Sequence, residues 1–233
     1  MRIDQPSQRT SLSASMQRRS DADQPLVIIV DDDASVREAL FELILSAGFE
    51  PIAFASPREL LDAGDVLDRP GCLVLDVRMP GASGLDLQRR LAQTGNAKPI
   101  IFLTGHGDIP MTVQAMKAGA VDFLTKPVRD QTLLDAVIAG IAMDAARRQD
   151  AIVKSHIERF KKLTPREREV LQKVASGRVN KQVAFDLGIS EATVKLHRAN
   201  VMRKMQATSI SELIRIWESL PKSIGDACAD TRD

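Results

Sequence analysis

Gly71-Cys72-Leu73-Val74-Leu75-Asp76-Val77-Arg78-Met79-Pro80-Gly81 decides how the chain is read. The apolar run Cys72–Leu75, bounded by Gly71 and followed by a Met-Pro-Gly turn, predicts a short strand covered on both faces rather than a half-solvated one. A lone carboxylate, Asp76, stands where the run breaks. The mouth of a buried parallel strand is where open α/β sheets hold their ligands. On its own, an Asp there is first of all a turn former; what it does depends on what the rest of the chain brings beside it.

Upstream, Leu26-Val27-Ile28-Ile29-Val30 is a second continuous run, too short for a helix and β-branched, ending on Asp31, Asp32 and Asp33. Val36, Leu40, Leu43, Ile44 and Ala47 then recur at helical spacing until Gly48. A strand from Phe49 to Ala55 and a helix from Ser56 through Leu61 repeat the pattern, and a helix through Leu85, Leu87 and Leu91 follows the opening stretch. Downstream, Pro99-Ile100-Ile101-Phe102-Leu103 ends on Thr104-Gly105-His106-Gly107, and Asp108 can cap a helix that stops at Gly119. Val121 to Leu124 is the last strand, closed by Thr125-Lys126-Pro127.

Five strands alternating with helices predict an α/β domain with a five-stranded parallel, doubly wound sheet and helices on both faces, because each crossover is right-handed. All carboxyl ends then share one edge, so Asp31, Asp32, Asp76, Thr104 and Lys126 converge on one crevice. Gathered carboxylates repel by roughly 1 kcal/mol per pair at 4 Å in water, and more when desolvated. A Mg²⁺ ion suits them, since it binds through one or two carboxylates and accepts phosphate oxygens. Thr104 offers a hydroxyl and Lys126 a compact cation of the kind that meets phosphate. In that setting Asp76 can act as a carboxylate nucleophile toward a phosphoryl group.

The chain has 233 residues and a net charge of +1, which hides an asymmetry. Leu26 to Arg129 carries fourteen Asp/Glu against ten Lys/Arg, a net of −4, whereas Lys161 to Leu220 carries twelve Lys/Arg against six Asp/Glu, a net of +6. The basic part points to nucleic acid. Cys72 and Cys228 lack metal-ligand neighbours and read as reduced thiols. No apolar run has the length of a membrane span, and residues 1–24 lack the apolar core of a secretory signal, so a cytoplasmic location and no membrane partner are expected. Those residues read as a disordered tail, and Lys222 to Asp233 as a loose one.

From Asp130 the chain shows no clear helix break until about Lys162. Leu133, Leu134, Val137, Ile138 and Ile141 form a stripe for the sheet; beyond it the helix turns charged and reads as a semi-rigid spacer, although Ile152, Ile157 and Phe160 keep apolar character. Thr164, Pro165 and Glu167 form a capping box with Pro at the first helical position. Asn180 is expected to cap a short helix ending at Gly188, and Ser190 the next one; together they make a helix-turn-helix. On that third helix Val194, Val201 and Met205 face the core, while Ala192, Leu196, Ala199 and Arg203, with Lys195 at the edge, make the small-residue basic face that a major groove admits. Arg198 and Asn200 flank it toward phosphate, and His197 reads as a structural hydrogen-bonding residue.

Val30-Asp31-Asp32-Asp33, Leu75 to Gly81, Leu103 to Gly107 and Phe123 to Pro127 together resemble the receiver domain of bacterial two-component response regulators, whose fold is flavodoxin-like. The resemblance implies phosphorylation of Asp76 by a sensor histidine kinase. It also implies Mg²⁺ held by Asp31, Asp32, Asp76 and the backbone carbonyl of Arg78, phosphoryl contacts from Thr104 and Lys126, a cis Lys126-Pro127 bond and a switch through Thr104, Phe123 and Pro127. Such a protein accepts a phosphoryl group without being a turnover enzyme. A haloacid-dehalogenase-type site would need an Asp where Arg78 stands, and a dinucleotide site would need glycines where Asp31 to Val36 stand.

Leu163 to Leu171, Asn180-Lys181 and Ser190 to Asn200 resemble the LuxR-type four-helix DNA-binding domain, with the His-Arg-Ala-Asn run closest to the FixJ branch. That resemblance implies DNA contacts from Asn180, Lys181, Thr193, Lys195, Leu196, Arg198, Ala199, Asn200 and Arg203, with Lys195 and Leu196 reaching base edges. It further implies a homodimer on phosphorylation, double-stranded promoter DNA and RNA polymerase as partners, and activation of transcription. The expected layout is a tail (1–24), a receiver (25–141), a helical linker (142–160), a DNA-binding domain (161–221) and a tail (222–233). The competing reading is a phosphorylation-dependent protein-interaction switch.

Overall fold

The computed structural model describes residues 24–105 and 107–221; both expected tails (Gln24 apart), Cys228 and His106 lie outside them. Two compact units divide between Arg147 and Arg148, inside one unbroken helix.

The first unit runs β1 (Leu26–Val30), α1 (Ala34–Ser46), β2 (Glu50–Phe54), α2 (Pro57–Asp62), a 3-10 turn (Gly64–Asp68), β3 (Gly71–Leu75), α3 (Gly84–Gln93), β4 (Ile100–Thr104), α4 (Ile109–Lys117) and β5 (Asp122–Thr125), and continues into α5 (Asp130–Lys161). The strands pair in parallel in the order β2-β1-β3-β4-β5, so the order in which strands are added reverses between β1 and β3. The unalternating apolar runs have a simple cause: Ile28, Val30, Leu73, Leu75 and Phe102 enter one core and Val27, Ile29, Val74, Ile101 and Leu103 the other. β5 starts one residue later than the hydrophobic run suggests, because its pairing begins at Asp122 opposite Ile101.

At the opposite edge from Asp76, buried Asp144 of α5 accepts the Gly71 N–H through Oδ2 (3.0 Å) and the Arg147 guanidinium through Oδ1 (2.6 Å), which fixes this helix to the start of β3. Burial pushes the neighbouring Cys72 thiol up to about 12, so it stays protonated and inert.

The second unit contains α6 (Pro165–Ala175), α7 (Asn180–Leu187), α8 (Glu191–Met205) and α9 (Ile210–Ser219). Val170, Leu171, Val183, Val194, Val201, Met205, Leu213 and Ile216 form its core. Two sequence expectations need correction. Phe160 is not spacer: it is buried in this core against Trp217 (ring centroids 6.0 Å), with Arg168 over its ring and Ile157 packed alongside, so the end of α5 is part of the unit. Asn180 is not a cap: it is the first helical residue, Val179 takes the cap position, and the Val179 N–H is satisfied by Gln182 Oε1 (3.1 Å).

The Thr164 box forms as expected. Glu167 Oε2 accepts the Thr164 N–H (2.8 Å) and the Lys204 ammonium (2.7 Å), tying α6 to α8. Burial acts to raise its carboxyl, but these hydrogen bonds outweigh it and hold the group below the ordinary 4.5. A depressed acid stabilises the fold above its unfolded value and loses that contribution as pH falls through the folded one. Glu167→Ala should therefore cost about 2 kcal/mol at pH 7, in urea unfolding followed by fluorescence of Trp217, the chain's single tryptophan. The difference should shrink below pH 4.5; a constant difference down to that range would contradict the pairing.

Candidate functional site

At the carboxyl edge of the sheet, Asp31 and Asp76 are the first residues beyond β1 and β3, Thr104 ends β4, and Lys126 follows β5. These four strands follow one another in the sheet, from β1 and β3 at the reversal point out to β5, so residues far apart in sequence share one edge and the long Lys126 side chain reaches back to it. Lys126 Nζ lies 2.5 Å from Asp31 Oδ2 and 3.1 Å from Asp76 Oδ2. Carboxylate oxygens of Asp31, Asp32 and Asp76 lie within 4.8 Å of one another, with Asp31 and Asp76 buried and Asp32 exposed. Three hard oxygen donors without His or Cys among them suit Mg²⁺ rather than a softer metal.

Burial pushes the Asp31 carboxyl up, against the Lys126 hydrogen bond and the Asp33 N–H, which pull it down. For Lys126 burial acts to lower the ammonium, yet its hydrogen bonds to both carboxylates prevail and raise it. The cation is thus kept charged by the acids that need it. The Arg78 N–H donates to Asp76 Oδ1 (3.2 Å), while the Arg78 side chain is exposed. Lys126-Pro127 is cis, and the Lys126 N–H donates to the Thr104 carbonyl (2.8 Å), which joins the ends of β4 and β5.

Thr104 is buried, and the half-buried Phe123 ring sits 5.9 Å from that of Phe102. A Cβ at Gly107 would lie 2.8 Å from Phe123 Cε1 and 3.5 Å from Thr104 Cγ2, so a larger residue there would have to displace the Phe123 ring. Gly84 plays the same part at α3: a Cβ there would lie 2.2 Å from the Asp76 carbonyl oxygen. Arg37, which no sequence signal marks, donates to the carbonyls of Asp31 (2.7 Å) and Asp32 (2.9 Å) and so orders the acidic loop. Asp33 leaves the cluster to cap α1.

In the second unit, α8 buries Val194, Val201 and Met205 and exposes Ala192, Lys195, Leu196, Ala199 and Arg203. Leu196 is 62% exposed, a large apolar group presented to solvent between two alanine positions. Thr193 pairs its hydroxyl with Ser190 (2.8 Å), Lys181 is exposed, and half-buried Asn200 has a long contact with Arg203 (3.5 Å). The Arg198 guanidinium donates to Asn180 Oδ1 (2.6 Å). His197 differs from expectation: its Nδ1 is buried with no hydrogen-bond partner among the described residues.

Residues 27–138 match the response regulator receiver domain family, and residues 161–217 the LuxR family of bacterial regulatory proteins. The chain is 53% identical over 196 residues to nodulation protein W of Bradyrhizobium diazoefficiens, covering 84% of this chain and 86% of that protein. It is a response regulator with a LuxR-type DNA-binding domain. It is also 46% identical over 191 residues to the transcriptional regulatory protein FixJ of Azorhizobium caulinodans, covering 82% and 90% of the two chains. The solved structure of response regulator StyR shares 48% identity at a TM-score of 0.60, covering 84% of this response regulator and 98% of that chain. Among the described residues no helix of this regulator is long and apolar enough to cross a membrane.

The ion pairs make a quantitative prediction. With a chelator present at pH 7, Lys126→Met should lower the unfolding free energy of the first unit by about 2 kcal/mol, since it strands two largely buried carboxylates. Calorimetry should then show Mg²⁺ restoring more stability to the variant than it adds to the unsubstituted regulator. Equal increments would mean that ammonium and metal do not share the carboxylates.

Proposed function

We propose that this regulator is switched by phosphorylation of Asp76 from a sensor histidine kinase, then dimerises and binds promoter DNA to activate transcription in the bacterial cytoplasm. The carrying observation is Lys126 held between Asp31 and Asp76 at the reversal point of the sheet. An Asp76 carboxylate oxygen attacks the phosphorus of a phosphohistidine; the P–O bond forms as the P–N bond breaks, and the imidazole leaves taking a proton. Lys126, already beside the nucleophile, meets the charge on the transferred phosphoryl oxygens, and the Thr104 hydroxyl donates a further hydrogen bond. Asp31, Asp32 and Asp76 with the Arg78 carbonyl would hold Mg²⁺, which when bound neutralises phosphoryl charge and fixes its orientation. The protein is a phosphoryl acceptor and not a turnover enzyme.

The output follows from the packing of Thr104 and Phe123 against Gly107. Drawing Thr104 toward an acyl phosphate vacates volume that the Phe123 ring can fill, which reshapes the surface near β5 into a dimer face. Moving such an equilibrium from mostly off to mostly on takes on the order of 5 kcal/mol of differential stabilisation, a sum that phosphate, Mg²⁺ and dimer contacts share. Dimers of helix-turn-helix units read half-sites about one helical turn apart, with α8 in the groove and RNA polymerase as the downstream partner.

Asp76→Asn should abolish Mg²⁺-dependent phosphoryl incorporation from acetyl phosphate while leaving the unit folded; normal incorporation would place the acceptor elsewhere. On DNA, Lys195→Ala should cost about 1–3 kcal/mol against the preferred sequence and relax preference there. Arg203→Ala should instead weaken all duplexes alike and reduce the salt slope by about one. Binding-site selection together with salt titration separates the two outcomes.

A further inference from the structure

We propose that Arg198 is a positioning residue: it acts on DNA through Asn180, and the two side chains together build one site for a backbone phosphate between α7 and α8. This rests on the DNA-binding reading of the second unit. Arg198 lies in the middle of the recognition helix α8, and Asn180 opens the preceding helix α7. They are eighteen residues apart in sequence and joined at 2.6 Å.

The chemistry of the contact fixes its orientation. A guanidinium has no acceptor, so it can only donate, and the carboxamide must turn its oxygen toward Arg198. The amide NH₂ of Asn180 is thereby turned away from the guanidinium, as a pair of donors. The acceptor is neutral, so the guanidinium charge is not cancelled as it would be by a carboxylate. Both residues are half-buried, which restricts the pair, and both line a cleft of about 740 Å³.

The rest of the lining tells which ligand fits. Arg178, Lys181 and Lys195 also border the cleft, all exposed, so four cations stand against the single acid Glu191. Val174, Val179, Ile210 and Ile214 also line the cleft. An apolar wall with surplus positive charge around it suits a phosphodiester oxygen held by the charged groups, and Lys195 links it to the exposed face of α8. Arg178 is thereby added to the contact set. Held by Arg198, the Asn180 donors keep a set distance from the base-reading face, so the backbone contact sets the register of α8 in the groove.

The test is a double-mutant cycle on the full chain, by fluorescence anisotropy with a fluorescein-labelled mixed-sequence DNA duplex at several salt concentrations. Asn180→Ala and Arg198→Ala should each weaken binding about tenfold. Arg198→Ala, which also takes a charge out of the cleft, should in addition lower the salt slope by about one, whereas Asn180→Ala should leave the slope unchanged. The double variant should be no weaker than Arg198→Ala, with the slope still lower by one. Asn180→Asp keeps the Arg198 contact but replaces the donors with a charged oxygen. It should bind at least as weakly as Asn180→Ala while its Trp217 unfolding midpoint stays at or above the unsubstituted value, which a merely structural role would not give. Additive losses in the double variant would overturn the proposal, since Arg198 would then hold its own phosphate independently of Asn180. Unchanged binding in both single variants while Lys195→Ala weakens it would overturn it by taking the pair off the DNA. If Lys195→Ala also left binding unchanged, the DNA-binding reading of α8 would fail, and the proposal with it.

Discussion

A lysine ammonium wedged between two buried carboxylates is the contact on which the first unit depends. Asp31 and Asp76 are brought together by the adjacent strands β1 and β3, every residue of which is buried, and both carboxylates are themselves buried. Without a counter-charge, two ionised carboxylates at that edge would repel and would be desolvated at once. The chain meets this with a cation 95 positions after Asp31. That cation is in place only if β5 lies beside β4 and the loop after β5 turns back over the sheet edge. The Lys126 N–H bond to the Thr104 carbonyl secures the first condition, and the cis Lys126-Pro127 bond belongs to that turn.

Around this centre the backbone comes unusually close to itself. Gly84 lets the start of α3 touch the Asp76 carbonyl, and Gly107 lies against the Phe123 ring. The consequence is mechanical. With no side chain to cushion either contact, a displacement of Asp76 or Thr104 reaches α3, α4 or Phe123 directly. Close-packed interiors respond to such displacements by changing between discrete arrangements rather than by yielding continuously.

The fold and its polar edge were legible because parallel sheets leave a plain trace: apolar runs without alternation, each ending on a polar residue. Asp31, Asp76, Thr104 and Lys126 are each the last or next residue of such a run, and topology alone then places them together. What stayed hidden depends on partners remote in sequence. Phe160 looked like the end of a spacer because its hydrophobic neighbour, Trp217, lies 57 positions further on. Asn180 looked like a cap because Asn favours that position, yet its carboxamide is committed to Arg198 on another helix, which local propensity does not register. Arg37 donates to backbone carbonyls and Asp144 accepts from a backbone N–H, and a backbone donor or acceptor has no letter in the sequence.

Both units present cations at sites we propose for phosphate groups, but the cations are held in different ways. Lys126 is paired with anions, so its charge is spent inside the protein until other groups relieve it. A metal ion on Asp31 and Asp76 and a phosphoryl group on Asp76 would do so in one step, handing the ammonium new acceptors as its old ones are taken. An exchangeable ion pair of that kind suits a contact that must exist in two states. Arg198 is held by a neutral amide, so its direction is fixed while its charge stays available. An aspartate at position 180 would grip the guanidinium more tightly, but it would add an anion to a cleft that four cations otherwise define. A permanent surface for DNA is better served by the neutral partner. The choice of Asp beside Lys126 and Asn beside Arg198 thus follows from one distinction, between a charge that has to be released and a charge that has only to be aimed.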